Sequence, residues 1–296
     1  MRKPVIYRRA VLGALVGALG FSSLAFVRDE PLDAALREEV HRVPVEGQTI
    51  VVTTFRPAGE GPFPWIIYSH GTGSRSQNMA IGRNRNFNVI RPWVERGFAV
   101  LVAVRRGYGE SGGVAASDAY GWRNNPDFLG AAQGATTDIL ATVEWARQFK
   151  DLDQARWLLV GQSAGGFASV YTAGKRPAGL LAVLNFAGGR GGRPDTHPGE
   201  PIFPERLASV YAEAGKTAIV PMLWNYATND EFFNPSTAQM WFNAFQAAGG
   251  KGQLVIQPPL GRRGHGLLTR AEGQPVWIPA VAKFFVAEKL PLSFSP

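Results

Sequence analysis

Short apolar segments alternate with amphipathic segments along the chain, and this alternation limits the fold more than any other feature of the sequence. An apolar segment such as 98–104 carries no polar side chain, which is typical of a strand covered by helices on both faces of its sheet. Alternating strands and helices indicate βαβ units and a mostly parallel sheet. We predict strands at 40–45, 49–56, 63–69, 98–104, 156–160, 180–186, 219–226 and 254–257, and helices at 92–96, 134–150, 164–173, 205–214, 235–248 and 275–289.

The first two predicted strands are joined by the tight turn Glu46-Gly47, so they pair antiparallel. The predicted fold class is therefore α/β, with a mostly parallel central sheet, an antiparallel N-terminal edge and helices on both faces. Residues 26–296 contain no internal repeat and no clear domain boundary, and we expect them to form one domain. The segment 188–204 is rich in glycine and proline and is either a cap over a site or a surface loop.

The N-terminal segment has the layout of a secretory signal peptide. Four basic residues and no acid occupy the first nine positions, an apolar run follows at 10–21, and small residues precede a possible cleavage after Ala25. We predict a signal peptide at 1–25 and a periplasmic or secreted protein, with an uncleaved anchor as the alternative. The pair Arg8-Arg9 resembles a twin-arginine signal without its usual flanking residues.

Charge and cysteine content exclude several classes of function. The formal charge of the whole chain is +8, and it falls to +4 without residues 1–25, which hold four basic residues and no acid. No run of Lys and Arg resembles a phosphate-binding tract, so we expect no nucleic-acid partner. Contact with a membrane is expected only through an uncleaved N-terminal segment. The chain has no cysteine, which excludes disulfides and a thiolate nucleophile.

The pattern G-x-S-x-G, centred on Ser163, lies between a predicted strand and a predicted helix. A serine at such a turn adopts a strained backbone conformation, and the small residues Gly161 and Gly165 let the turn close and expose the hydroxyl. We therefore interpret Ser163 as a nucleophile. The alternative is a glycine-rich turn with a solvent-facing serine.

A serine nucleophile needs a base, and the chain offers four histidines. His265 follows the last predicted strand, where an open α/β sheet places its ligands, and it is the predicted base. His197, in the Gly/Pro-rich segment, is the rival. His41 lies before the scaffold, and His70 is expected to form hydrogen bonds within its own loop.

The base needs an orienting acid, and the oxyanion formed on attack needs two donors. Asp230, just past the seventh predicted strand, is the predicted acid. Glu231 is the second choice, and a helix-capping role is the alternative for Asp230. We predict an oxyanion hole made by the backbone N–H groups of Ala164 and Thr72.

Together these residues resemble the α/β-hydrolase superfamily, specifically its dienelactone hydrolase-like and esterase/peptidase-like branches. The resemblance covers about residues 40–290 and rests on the His-Gly-x-Gly loop at 70–73, the stretch 106–112, and the order Ser163, Asp230, His265. It implies a serine hydrolase that cleaves an ester, or alternatively an amide, by way of an acyl-enzyme. It implies a small-molecule ester as substrate and neither a cofactor nor a metal.

Two departures from the family pattern bear on the subfamily and the substrate. The aspartate that the family places two residues before Arg106 is Val104 here, with Arg105 between them, and we expect this change to affect a structural loop rather than the chemistry. Dienelactone hydrolases proper use a cysteine nucleophile, so the absence of cysteine argues against dienelactone as the substrate.

Other functions fit the sequence less well. The glycines at 107–112 match a dinucleotide-binding pattern, but loop-forming residues follow where a helix is required. The stretch 215–217 lacks the first glycine of a phosphate-binding loop. A non-catalytic binding protein on the same scaffold remains an alternative. Five aromatic residues could line an acyl pocket or belong to the core: Trp122, Phe128, Phe203, Phe232 and Phe233.

Overall fold

A twisted eight-stranded sheet forms the centre of the computed structural model, which describes residues 30–115, 121–122 and 124–296. The predicted signal segment 1–25 lies outside the described residues. In space the strands follow the order β1-β2-β4-β3-β5-β6-β7-β8. They are β1 (Glu39–Val45), β2 (Gln48–Phe55), β3 (Phe63–Ser69), β4 (Ala99–Val104), β5 (Leu152–Gln162), β6 (Leu180–Phe186), β7 (Met222–Ala227) and β8 (Gly252–Gln257).

Strand directions agree with the predicted fold class. β2 pairs antiparallel with β1 and with β4, and the other neighbouring strands pair parallel. The α/β prediction, with its antiparallel N-terminal edge, is confirmed. Because β3 to β8 run in one direction, the loops that follow them gather at one edge of the sheet, where ligands of open α/β sheets bind.

Helices cover both faces of the sheet. Alternate residues of β3 show this division, because Trp65 and Ile67 face one apolar core and Ile66 and Tyr68 face the other. The first core is closed by α3 to α6 and the second by α2 and α7. No helix of the described residues has the length and apolarity needed to cross a bilayer. The helices are α1 (Arg75–Ala80), α2 (Phe87–Val94), α3 (Phe128–Ala146), α4 (Ala164–Ala173), α5 (Pro204–Thr217), α6 (Pro235–Ala247) and α7 (Gln274–Ala287).

Two helices begin earlier than predicted and one helix was not predicted. Side-chain capping explains each of the three cases. α2 begins at Phe87 rather than at residue 92, because the Asn86 side chain accepts a hydrogen bond from the N–H of Asn88. α3 begins at Phe128 rather than at residue 134, with Asp127 as its cap, despite the glycines in its first turns. The unpredicted α1 is short and depends on a capping box between its N-cap serine and Gln77.

The glycine-rich stretch 107–112 is a loop and does not open a helix. The N–H of Gly107 donates to the carbonyl of Gly112, which closes the loop on itself. Among the described residues the next helix begins only at Phe128. This geometry does not match the dinucleotide-binding pattern.

A buried ion pair connects the end of β4 to α3. The Arg106 guanidinium Nε lies 2.6 Å from Asp138 Oδ1, and the backbone N–H of Arg106 donates to Oδ2 at 2.9 Å. Both side chains are almost fully buried. Arg106 also contacts Glu46 at 2.7 Å, but the Glu46 side chain is 65% exposed.

We predict unequal effects on stability for the two acidic partners of Arg106. Asp138→Ala leaves a buried guanidinium without its buried partner and should lower the free energy of unfolding by about 3–5 kcal/mol. Glu46→Ala removes a solvated contact and should cost no more than about 1 kcal/mol. Urea unfolding of the two variants measures the difference, and equal losses would contradict the assignment of Asp138 as the structural partner.

Candidate active site

Ser163 occupies the sharp turn between β5 and α4 in a conformation that few residues other than glycine adopt. Its φ is 56° and its ψ is −123°. The strained backbone is held by hydrogen bonds on both sides. The Ser163 N–H donates to the Phe186 carbonyl at 3.0 Å, and the Ser163 carbonyl accepts from the N–H groups of Phe167 (3.0 Å) and Gly189 (3.1 Å). Strain that surrounding contacts maintain in this way is a feature of functional sites.

The two glycines of the motif are required by close backbone approach. A Cβ at Gly161 would collide with the carbonyl of Gly165, and a Cβ at Gly165 would collide with the carbonyl of Ser69 at the end of β3. The turn can therefore close only with glycine at both positions, which agrees with the interpretation of the sequence pattern.

His265 and Asp230 form a hydrogen-bonded pair. His265 Nδ1 lies 3.0 Å from Asp230 Oδ1 and 3.1 Å from Oδ2. The carboxylate is buried and also accepts from the backbone N–H groups of Phe232 (2.8 Å) and Phe233 (3.1 Å), so its position is fixed. An Nδ1–H that donates to a carboxylate leaves the lone pair of the neutral imidazole on Nε2.

Aromatic packing fixes the plane of the His265 ring. Phe232 stacks on it with ring centroids 4.1 Å apart, and Phe233 meets it edge-on at 5.4 Å. The segment 230–233 therefore supplies the carboxylate, two donors to that carboxylate and the two aromatic rings that contact the imidazole.

Two neighbouring cavities meet at Ser163. The first, here called the imidazole-side cavity, has a volume of about 360 Å³ and is lined by Ser163, His265 and His70 among others. The second, called the arginine-lined cavity, has a volume of about 480 Å³ and also includes Ser163. Phe232 borders both.

The structure brings Ser163 close to His265 without joining them. The side chain of Gln162, next to the serine, donates to the His265 carbonyl at 3.3 Å. Ser163 and His265 line one cavity, but among the described residues no hydrogen bond joins their side chains. In enzymes without substrate this bond is often long and shortens when substrate binds.

The alternatives for base and acid take other positions. The Glu231 carboxylate accepts from the backbone N–H of His265 at 3.2 Å, so it supports the backbone rather than the imidazole. His197 pairs with Arg193 in an isolated bridge and lines neither cavity. His41 lies on β1 of the opening hairpin, where it packs against Trp145 of α3.

His70 is a buried histidine with both ring nitrogens in use. Nδ1 lies 2.7 Å from the Gly71 carbonyl, and Nε2 accepts from the backbone N–H of Arg105 at 3.1 Å. Burial, followed by the positive charge of Arg105, holds the pKa of His70 well below 6.5. The expectation that His70 forms hydrogen bonds within its loop is confirmed.

The residues that carry the predicted oxyanion donors belong to two elements, α4 and the loop after β3. Ala164 is the first residue of α4, and its N–H therefore has no acceptor within the helix. Thr72 lines both cavities, and its hydroxyl lies 2.6 Å from the Tyr108 hydroxyl. Within the described residues the Thr72 N–H donates no hydrogen bond, while the next N–H, that of Gly73, is taken by Asn78.

Arg105 has a role that the sequence interpretation missed. It is 1% exposed, and its guanidinium donates to the carbonyls of His70 at 2.5 Å and Gly71 at 2.9 Å. It also lies 4.7 Å from the centre of the Tyr108 ring. That arginine holds the loop that carries Thr72, a contact that the sequence analysis did not anticipate. Its place next to the departure at Val104 was the available signal.

The remaining predicted pocket residues divide between site and core. Phe232 and Phe233 border the arginine-lined cavity, and the first part of the 188–204 segment lines it. Phe128 belongs to the core, and Phe203 packs against that core. The side chain of Trp122 lies outside the described residues.

Solved structures with similar folds include hydrolases of several kinds. A candidate dienelactone hydrolase from Klebsiella pneumoniae has a TM-score of 0.59 and 16% identity, over 84% of this chain and 98% of that chain. The esterase Pf2001 of Pyrococcus furiosus has a TM-score of 0.57 and 14% identity, over 86% and 92%. The acylaminoacyl peptidase of Pyrococcus horikoshii has a TM-score of 0.56 and 16% identity, over 88% and 42%. At these identities the likeness shows the α/β-hydrolase fold.

The sequence itself matches a family. No protein with a curated description matches it. A sequence model of the family described as X-Pro dipeptidyl-peptidase (S15 family) matches residues 46–198, just over half of the chain. The protein therefore belongs to the S15 family of α/β-hydrolases and is a hydrolase of the esterase or peptidase type.

Proposed function

We propose that the protein is a serine hydrolase that cleaves a carboxylic ester through an acyl-enzyme. The observation that carries this proposal is the buried Asp230–His265 pair at the cavity that also contains the strained Ser163. A carboxylate that holds Nδ1–H leaves Nε2 to accept the serine proton, which is the arrangement a serine nucleophile needs.

In the proposed reaction the Ser163 hydroxyl attacks the ester carbonyl and gives its proton to His265. The N–H groups of Ala164 and Thr72 stabilise the resulting oxyanion, helped by the N-terminal dipole of α4. His265 then protonates the leaving alcohol, and an acyl group remains on Ser163. A water molecule that His265 activates releases the acid and restores the serine.

A dipeptidyl-peptidase is the second candidate, and the family match favours it. Removing dipeptides from a peptide's amino end requires recognition of an ammonium group, for which a carboxylate is the natural partner. Among the described residues that line the two cavities, the charged side chains other than histidine are Arg190, Arg193 and Arg263 against the single acid Asp195. This excess of positive side chains does not suit an ammonium group and supports an ester as the substrate.

Rates with p-nitrophenyl butyrate and Gly-Pro-p-nitroanilide separate the two candidates.

We predict that a fluorophosphonate probe labels Ser163 and that Ser163→Ala abolishes both labelling and ester hydrolysis. The expected loss in kcat is at least about 10⁴-fold, because the nucleophile is removed. Ser209→Ala, at an exposed serine of α5, is the matched control and should be labelled like the unmodified protein. Mass spectrometry of the adduct locates the label, and an adduct on another serine would refute the proposed nucleophile.

We predict an acid limb in the pH profile that depends on His265 and not on His70. The catalytic base must be neutral to accept the serine proton, so kcat/KM should fall as the pH is lowered into the acid range. His70 stays neutral over this range because its pKa is held well below 6.5. The acid limb should persist in His70→Gln, and the residual activity of His265→Gln should lack it. Loss of the acid limb in His70→Gln would contradict the assignment of His265 as the base.

We predict that Arg105 is a positioning residue for the oxyanion donor at Thr72. Lysine lacks the planar fork with which the guanidinium spans two carbonyls, so Arg105→Lys should lower kcat by roughly 10- to 100-fold with little change in KM. The inhibition constant of a boronic acid, which mimics the tetrahedral intermediate, should rise in parallel.

Arg106→Lys is the control for general loosening of the fold, since Arg106 is paired with Asp138 rather than with the Thr72 loop. Equal losses of kcat in both lysine variants, with unchanged boronate affinity, would show that Arg105 is a structural residue and not a positioning residue.

A further inference from the structure

The two cavities at Ser163 differ in their charged residues, and this difference bears on the substrate. The arginine-lined cavity is bordered by Arg190, Arg193 and Arg263, with Asp195 as the only acid among its described lining residues. Arg190 is 3% exposed, Arg193 is half-buried, and Arg263 is exposed at the rim. The described lining therefore carries a net charge of +2.

The two outer arginines of this cavity, Arg193 and Arg263, have donors available for a ligand. Within the described part of the chain, neither Arg193 nor Arg263 forms an ion pair, and Arg193 Nε donates to the Glu200 carbonyl at 3.2 Å. That bond orients one edge of the guanidinium. Its remaining donors suit an anionic group, since guanidinium binds carboxylates with two parallel hydrogen bonds.

Further positive groups lie near the serine. The charges of Arg105 and Arg190 lower the pKa of His70, in addition to the larger effect of burial. The N-terminus of α4 points its partial positive charge at the same place. A cationic substrate would be disfavoured here, and an anionic one would be favoured.

The wall of the arginine-lined cavity is firmly packed. A Cβ at Gly189 would meet Phe233 at 2.8 Å, and a Cβ at Gly192 would meet Phe232 at 2.6 Å. The N–H of Ile202 donates to the Gly191 carbonyl at 2.9 Å. The glycine-rich segment therefore lies closely against Phe232 and Phe233, which give the cavity one apolar wall.

The position of His265 assigns a side to each part of the substrate. The base must reach the leaving oxygen to protonate it, and His265 lines only the imidazole-side cavity. The leaving alcohol then belongs in that cavity, and the acyl part extends into the other. We propose that the arginine-lined cavity binds an acyl group that carries a carboxylate, held by Arg193 and Arg263. This inference rests on the proposed function.

Two p-nitrophenyl esters with equal leaving groups test the inference, the valerate with a neutral acyl chain and the glutarate half-ester with a terminal carboxylate. The ratio of their kcat/KM values should favour the glutarate by about tenfold or more, mainly through KM. The double variant Arg193→Gln/Arg263→Gln should bring the ratio close to one. Added salt should reduce the preference of the unmodified protein, because the rim charges are accessible to solvent.

Arg262→Gln is the matched control, because Arg262 is an exposed neighbour that does not line the cavity, and its ratio should equal that of the unmodified protein. A ratio measured on one preparation cancels any loss of folded enzyme. Hydrolysis of both esters at equal rates, a preference that survives the double variant, or a faster reaction with the cationic 6-aminohexanoate ester would overturn the inference. Failure of the proposed function is a separate result, since neither ester would then be cleaved in a Ser163-dependent way.

Discussion

The conformation of Ser163 is the constraint on which the site depends. A positive φ at a serine is costly, and the surrounding structure maintains it. The N–H of Ser163 is held by the end of β6, and its carbonyl is held by the helix and by the loop after β6. The close approach of Gly165 to the end of β3 places the N-terminus of α4 directly over the sheet. All ten residues of α4 are buried, so the serine stands at the start of a helix that is packed on every side.

The rest of the site is assembled from loops at the same edge of the sheet. The segment after β7 carries Asp230 and the two phenylalanines that surround the His265 ring, while the loop after β8 carries His265 itself. The loop after β3 carries Thr72, and Arg105 at the end of β4 holds the carbonyls of that loop. Neutral His70 fills the space between them. The site therefore places the carboxylates of Asp230 and Glu231 beside His265, and several arginines on the side of the proposed oxyanion and acyl group.

Strands were easier to predict than helix starts. Most of the eight strands contain a short apolar run bounded by turn residues, and the central sheet contains all eight. α2 and α3 start earlier than predicted because side-chain caps at Asn86 and Asp127 outweigh the weak helix propensity of the residues that follow. The departure at Val104 drew attention to the neighbourhood of Arg105, but its contacts with His70 and Gly71 could not be predicted, because they join positions far apart in the chain.

By itself, the sequence determined the order of strands and helices, the turn at Ser163 and the residue types available for proton transfer, because these follow from local periodicity, from the glycines of one motif and from a short inventory of histidines. Only the tertiary structure decided which histidine meets which carboxylate, which arginine supports the loop that carries Thr72 and which charges border the arginine-lined cavity. The physical reason is that a parallel sheet brings the ends of distant strands to one edge, and the contacts made there depend on the register and packing of the whole sheet.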